Sequence, residues 1–174
     1  MRELSIRDAT AGDLSAINEI YNYYVASSTC TFQEDPDTLE DRRRWFAAHD
    51  KEHPVIVAQE GPEIAGWASL SSFHARCAYR HTVENSVYVR NDMHGKGIGK
   101  TLLWEIIRRG RQAGHHTLIA AICADQPVSI ALHEKSGFVQ AARLREVGFK
   151  FGRWLDVVYM QLMLGGAAEA RGRQ

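Results

Sequence analysis

The chain reads as a mixed α/β (α+β) fold: a mixed central sheet of about seven strands flanked by four helices, in the order β-α-α-β-β-β-α-β-α-β-β. Three observations predict it. Segments with apolar residues at every second position, or in short runs, alternate with segments whose apolar residues recur every three or four positions. A glycine-rich turn, His94-Gly95-Lys96-Gly97-Ile98-Gly99-Lys100-Thr101, falls between a predicted strand and a predicted helix. With 174 residues, 45% of them apolar, the chain suits one domain able to bury roughly 70% of its unfolded surface.

Leu4-Ser5-Ile6-Arg7 alternates like a strand, and Thr10 with Asp13 forms a helix-start signature ahead of Leu14, Ile17, Ile20, Tyr21 and Tyr24. After a polar, turn-rich stretch at 26–37, Thr38 and Asp41 cap a second helix through Leu39, Trp45 and Phe46. Val55–Ala58 and Ile64–Leu70 flank Gly61-Pro62-Glu63 and are predicted as antiparallel strands joined by a tight turn. In the next strand, Thr82–Val89, residues Val83, Val87 and Val89 fall on a core face, and Thr82, Glu84, Ser86 and Tyr88 on a polar one. The stripe Ile98, Leu102, Leu103, Ile106 and Ile107 predicts a helix over 98–113, stopped at Gly114. Leu118–Cys123 reads as a strand and Val128–Ser136 as a short helix ended by Gly137. Phe138–Val147 and Leu155–Leu164 complete the sheet. Residues 1–164 are expected to form a single domain, and the small, polar tail Gly165–Gln174 to be disordered.

Charge and cysteine usage narrow the function classes. The 21 basic and 21 acidic side chains cancel, which argues against nucleic acid or an acidic membrane as main partner. Cys30, Cys77 and Cys123 stand far apart with no C-x-x-C pair, as reduced cytosolic thiols do. Residues 1–8 lack the apolar core of a signal peptide, and no apolar run approaches the roughly 18 residues that span a bilayer. A cytoplasmic location is expected. His74, Cys77 and His81 are ligand-type residues, but a closed zinc site wants a fourth and the segment has no second half, so no metal is expected.

The glycine turn carries the most chemistry. Glycines let backbone N–H groups approach a ligand closely, a helix N-terminus adds roughly half a positive charge, and Lys96 and Lys100 reinforce it, so the turn suits a phosphate. Two phosphate chemistries compete. A nucleotide P-loop needs G-x-x-x-x-G-K-[ST]; Gly99-Lys100-Thr101 supplies its end, but the first glycine falls on His94. Leu118–Asp125 would then imitate the strand and acid that hold magnesium. The other chemistry is recognition of the pyrophosphate of coenzyme A.

For the second, the turn resembles the Gln/Arg-x-x-Gly-x-Gly/Ala loop of the GNAT acetyltransferases. Further segments agree in order: Tyr79-Arg80-His81-Thr82-Val83-Glu84-Asn85-Ser86-Val87-Tyr88-Val89, Ser129-Ile130-Ala131-Leu132-His133-Glu134-Lys135-Ser136-Gly137-Phe138, and Gly148-Phe149-Lys150-Phe151-Gly152-Arg153-Trp154-Leu155-Asp156-Val157. Together, from about residue 4 to 164, they resemble the phosphinothricin and methionine sulfoximine acetyltransferase branch. His94 stands where the family has Gln or Arg, Gln126 where an Asn is common, and His133 where a Tyr is frequent; the last is typical of this branch.

The resemblance implies an enzyme that transfers an acetyl group from acetyl-CoA to the α-amino group of a small amino-acid-like acceptor. Position alone leaves Glu84 either an exposed strand acid or a base for the acceptor ammonium; the resemblance implies the base. It likewise implies that His133 meets the acetyl-CoA sulfur and gives a proton to the departing thiolate. The backbone of Val87, Tyr88 and Val89 would pair with the pantetheine arm. His94, Gly95, Lys96, Gly97, Ile98, Gly99 and Lys100 would hold the pyrophosphate, with Gln126 and Ser129 as further cofactor contacts. Arg76 and Arg80 would fork onto an acceptor carboxylate unless they are ordinary surface charges, Phe32 would form an apolar wall, and Glu34 would contact the ammonium. Members of the branch are usually homodimers. Three rivals stand beside this reading: another amine acceptor (a protein N-terminus, an antibiotic or a polyamine), a P-loop phosphotransferase, and a non-catalytic CoA-binding regulator.

Overall fold

The computed structural model describes residues 4–165, and the tail at 166–174 lies outside the described residues. Its strands are β1 (Leu4–Asp8), β2 (Val55–Glu60), β3 (Glu63–Ser72), β4 (Thr82–Val89), β5 (Thr117–Cys123), β6 (Val139–Lys150) and β7 (Arg153–Met163). Its helices are α1 (Leu14–Ser27), α2 (Leu39–Ala47), α3 (Ile98–Gln112) and α4 (Pro127–Lys135). The seven strands form one sheet in the order β1-β2-β3-β4-β5-β7-β6, as the sequence predicts in kind and number. All neighbours pair antiparallel except β4 and β5.

That parallel pair makes the site. β4 and β5 are paired only at Thr82–Glu84 with Thr117–Ile119, and past that point they part. Residues Asn85–Val89 therefore keep β3 on one side (Gly66–Leu70) and, among the described residues, no strand on the other.

Helices cover both faces of the sheet. One core joins Leu102, Leu103 and Ile106 of α3 to Ile56, Leu70, Val83, Leu118 and Met160, with Ile130 and Leu132 of α4 packed against it. The other joins Leu14, Ile17 and Ile20 of α1 to Val57, Ile64 and Trp67. The polar face expected on β4 is therefore polar only at its N-terminal end: Tyr88 packs into the second core, its ring 4.8 Å from that of Trp67 at 24°. Asn85 breaks the opposite face, sitting 7% exposed on the side of Val83.

Capping follows the sequence signals. Asp41 N–H donates to Thr38 Oγ1 (3.1 Å) while Asp41 Oδ2 accepts from Thr38 N–H (2.9 Å). Asp13 likewise accepts from Thr10 N–H (2.7 Å), but a single 3-10 turn, Ala11–Asp13, intervenes before α1. The larger difference is β6, expected to end at Val147 and found to run to Lys150. Its register against β7 shifts between Leu144 and Gly148, and Glu146 adopts φ +53° in the bulge. Phe151 and Gly152, both at positive φ (52° and 73°), then make the two-residue turn into β7.

Candidate active site

A cavity of about 510 Å³ opens where β4 and β5 part. Of the predicted site residues its walls bring together Phe32, Glu84, Val87, Tyr88, Gln126, Ser129 and His133. Asn85, Cys123, Leu144, Val147 and Tyr159 also line it, and the sequence pattern did not mark them.

Glu84 sits at the last paired position of β4, opposite Ile119, and its carboxyl faces the cavity rather than a basic partner. Burial alone pushes its pKa up. A carboxylate withdrawn from water and left without a hydrogen-bond donor is a stronger base than an exposed strand acid.

His133, on α4, is 4% exposed. Its Nδ1 lies 2.8 Å from the Ser129 carbonyl, which only an N–H can satisfy, and its Nε2 lies 3.0 Å from Asn85 Nδ2, which is itself a donor. With the Asn85 amide nitrogen as donor, both contacts are met by a neutral ring, Nδ1 protonated and Nε2 accepting. Burial also pushes the His133 pKa down, with the Ser129 carbonyl pulling the other way. In this arrangement both ring nitrogens are engaged within the protein, Nδ1 by Ser129 and Nε2 by Asn85.

The glycine turn lies at the other end of β4. Gly95 and Gly97 adopt φ +77° and +80°, with no atom within 4 Å of where a side chain would begin. Gly99 faces Val89 and Leu132 at 3.5 and 3.6 Å, so the first turn of α3 is wedged between β4 and α4. The first hydrogen bond of α3 runs from Thr101 N–H to the Gly97 carbonyl (3.1 Å), and the amides of Ile98, Gly99 and Lys100 precede it without intrahelical acceptors. Open left-handed glycines, free first-turn amides and the unpaired edge of β4 together fit a ligand carrying a diphosphate and an extended, amide-bearing arm.

Several side chains are committed elsewhere. His94 Nε2 donates to the Tyr24 hydroxyl (2.6 Å), which in turn donates to the Val89 carbonyl (2.5 Å), so both His94 and that carbonyl are held within the protein. Gln126 Nε2 donates to Thr29 Oγ1 (2.8 Å), and the Thr29 hydroxyl donates to Asp125 (2.6 Å). Asp125 also pairs with Arg153. Burial opposes ionisation of Asp125, but hydrogen bonds from Thr29, Cys123 and Arg153 outweigh it and hold its pKa at about 2. The acid that a P-loop enzyme would direct at a phosphate-bound metal is thus turned onto the protein's own Arg153. Lys100 places its ammonium 4.5 Å from the centre of the Trp104 ring.

Three expected acceptor contacts are not gathered here. Arg76 and Arg80 are exposed on the 73–81 loop and do not line the cavity; Arg80 instead donates to the Cys77 carbonyl (3.2 Å). That loop turns outward through a short 3-10 segment, Cys77–Tyr79, before β4 begins. Glu34 is exposed and off the wall. Its neighbour Phe32 is on it, because the 28–34 segment is tied down: Tyr21 Oη lies 2.9 Å from Thr31 Oγ1 and donates to Gln33 Oε1 (3.0 Å).

The bulge in β6 closes the far wall. Leu144 and Val147, three apart, would face opposite sides of a regular strand, yet both line the cavity because the bulge inserts residues between them. Asp156 pins the bulge, accepting from Glu146 N–H (2.9 Å) and pairing with Arg143 (2.8 Å).

Residues 6–159 match the acetyltransferase (GNAT) domain family. An L-methionine sulfoximine/L-methionine sulfone acetyltransferase of Pseudomonas paraeruginosa is 43% identical over 162 residues, 92% of this chain and 94% of its own. Among solved structures, a GNAT superfamily phosphinothricin acetyltransferase from Sinorhizobium meliloti in complex with AcCoA is similar at TM-score 0.90 and 40% identity, covering 95% of this chain and 91% of that one. A ribosomal-protein-alanine N-acetyltransferase from Brucella melitensis is similar at TM-score 0.89 and 41% identity, covering 91% and 99%. With the family matching over residues 6–159 and a relative 43% identical over 92% of the chain, the chain belongs to the GNAT acetyltransferase family.

Proposed function

We propose that this protein uses acetyl-CoA to acetylate the α-amino group of a small amino-acid-like acceptor, with Glu84 as general base. The observation that carries the reading is Glu84 itself: a carboxylate without a cationic partner, pushed up in pKa by burial, on the wall of the cavity at the point where β4 and β5 separate. The relatives named for methionine sulfoximine, methionine sulfone and phosphinothricin supply the acceptor class. A cavity of about 510 Å³ also lies within the roughly 300–1,000 Å³ of small-ligand sites.

Acetyl-CoA, when bound, supplies an activated acyl carbon and a thiol leaving group. The first-turn amides of Ile98, Gly99 and Lys100 bind its diphosphate, with Lys96 and Lys100 adding charge. The free edge of β4 at Val87 and Tyr88 takes the extended arm, and an N–H there polarises the carbonyl, a contribution of the kind that is worth about 2.7–4 kcal/mol of barrier. Glu84 removes the proton that keeps an ammonium from being a nucleophile. Phe32, Leu144 and Val147 exclude water and hold the apolar part of the acceptor. His133, buried on the cavity wall, is the polar group that meets the departing sulfur. No cysteine is needed as an acyl carrier, since attack is direct. The free cysteines fit a cytoplasmic setting, and exposed Phe149, Phe151 and Trp154 on the β6–β7 hairpin fit the homodimer expected of the branch.

The Brucella neighbour supports a second reading, a protein N-terminus as acceptor. A thiol-release assay with acetyl-CoA separates the two. Methionine sulfone, methionine sulfoximine and phosphinothricin are expected to turn over, and peptides beginning in alanine and polyamines to give background. Activity on peptides alone overturns the acceptor class; binding of acetyl-CoA with no thiol released by any amine overturns catalysis.

A further inference from the structure

Two residues of β6 touch the 28–32 segment from below. At Gly148, a Cβ would stand 2.1 Å from Phe32 Cε2, 2.5 Å from Cδ2 and 2.8 Å from Cζ, so the aromatic ring occupies the space that any other residue would fill. Two positions on, Lys150 is 2% exposed, and its ammonium donates to the carbonyls of Ser28 and Thr31, both at 2.8 Å. A buried lysine whose hydrogen bonds both end on backbone carbonyls of one short segment holds that segment in place.

We propose that Gly148 and Lys150 are positioning residues that seat Phe32 on β6 and so set the size of the acceptor end of the cavity. The proposal rests on the acetyl-transfer reading. It goes beyond it in placing acceptor selectivity on a strand that neither binds the cofactor nor carries the base. Phe32 is a wall of the cavity, and once pushed off Gly148 its ring goes either into the cavity or into solvent. Either displacement changes the room left for the acceptor, while Gly148 and Lys150 themselves stand on β6, apart from Glu84 on β4 and from the glycine turn.

The test is a double-mutant cycle on the full chain with Gly148→Ala, Phe32→Ala and the pair. Gly148→Ala is expected to raise the KM for methionine sulfone about ten-fold, equivalent to roughly 1.4 kcal/mol of lost binding, with kcat and the KM for acetyl-CoA within about two-fold. In the Phe32→Ala background the same substitution is expected to change none of these, because the ring it would strike is gone. Lys150→Met, which frees the segment from the strand, is expected to raise the acceptor KM in the same direction. An unchanged acceptor KM in Gly148→Ala, or an equal penalty with and without the Phe32 ring, overturns the proposal. If no amine is acetylated, the functional reading fails separately. The melting temperatures then still decide the seat: a loss in Gly148→Ala that vanishes in the double variant supports it, and additive losses overturn it.

Discussion

Asn85 Nδ2 lies 3.0 Å from Nε2 of His133, and with that amide as donor the histidine on the cavity wall is neutral. Its Nδ1, 2.8 Å from the Ser129 carbonyl, then carries the one ring proton. Nitrogen-15 NMR should show His133 as the neutral Nδ1–H tautomer, titrating below the ordinary histidine value of about 6.5. Asn85→Ala removes a contact that favours the neutral ring and should move that titration upward. A wild-type ring that charges at or above the ordinary value refutes the assignment.

Glu84→Gln should lower kcat by about 10²–10⁴-fold, the usual contribution of a positioned base, while acetyl-CoA affinity measured by calorimetry stays unchanged. The same substitution should raise the melting temperature at pH 7, because it removes a carboxylate that burial makes costly. A variant that loses activity and stability together would point to a structural part for Glu84 instead.

The pH dependence follows with its sign. Burial raises the folded pKa of Glu84 above its unfolded value of about 4.3, so the charged form opposes folding wherever the pH lies above both. The stability advantage of Glu84→Gln should therefore be full near neutrality, shrink as pH falls through the folded pKa, and vanish below about 4. Turnover should run the other way. The base is inactive once protonated, so kcat/KM should fall on an acid limb whose midpoint lies above that of an exposed carboxylate. A midpoint at the ordinary value would mean that another group supplies the base.

Most of the element order was legible because local signals agreed with tertiary need. The α3 stripe from Ile98 to Ile107 is entirely buried, and the Thr38–Asp41 box closes as written. What could not be read depends on long-range partners. Val83 and Asn85 share a face, and nothing in the alternation says that Asn85 is held there by a histidine 48 residues later. The β6 bulge needs Asp156 on the neighbouring strand, and without it Gly148 reads as the end of a strand rather than a seat for Phe32. The Arg76 and Arg80 assignment came from arginine chemistry and their place just before β4, and loop geometry, which composition does not specify, leaves both exposed and off the cavity wall.

The glycine turn offers the cleanest separation of ligand binding from stability. Gly97 at φ +80° begins α3, and Gly114 at φ +82° follows its end; neither has an atom within 4 Å of a would-be Cβ, so alanine at either meets the same left-handed strain of about 1–2 kcal/mol and no clash. Only Gly97 adjoins the free amides. Relief of strain there rotates the first turn and moves the N–H groups of Ile98 and Gly99 off a bound diphosphate. Gly97→Ala should lower both the melting temperature and the affinity for CoA, whereas Gly114→Ala should lower the melting temperature alone. Affinity losses of equal size in the two variants would show that the turn does not hold the diphosphate and that the drop reflects the fold as a whole.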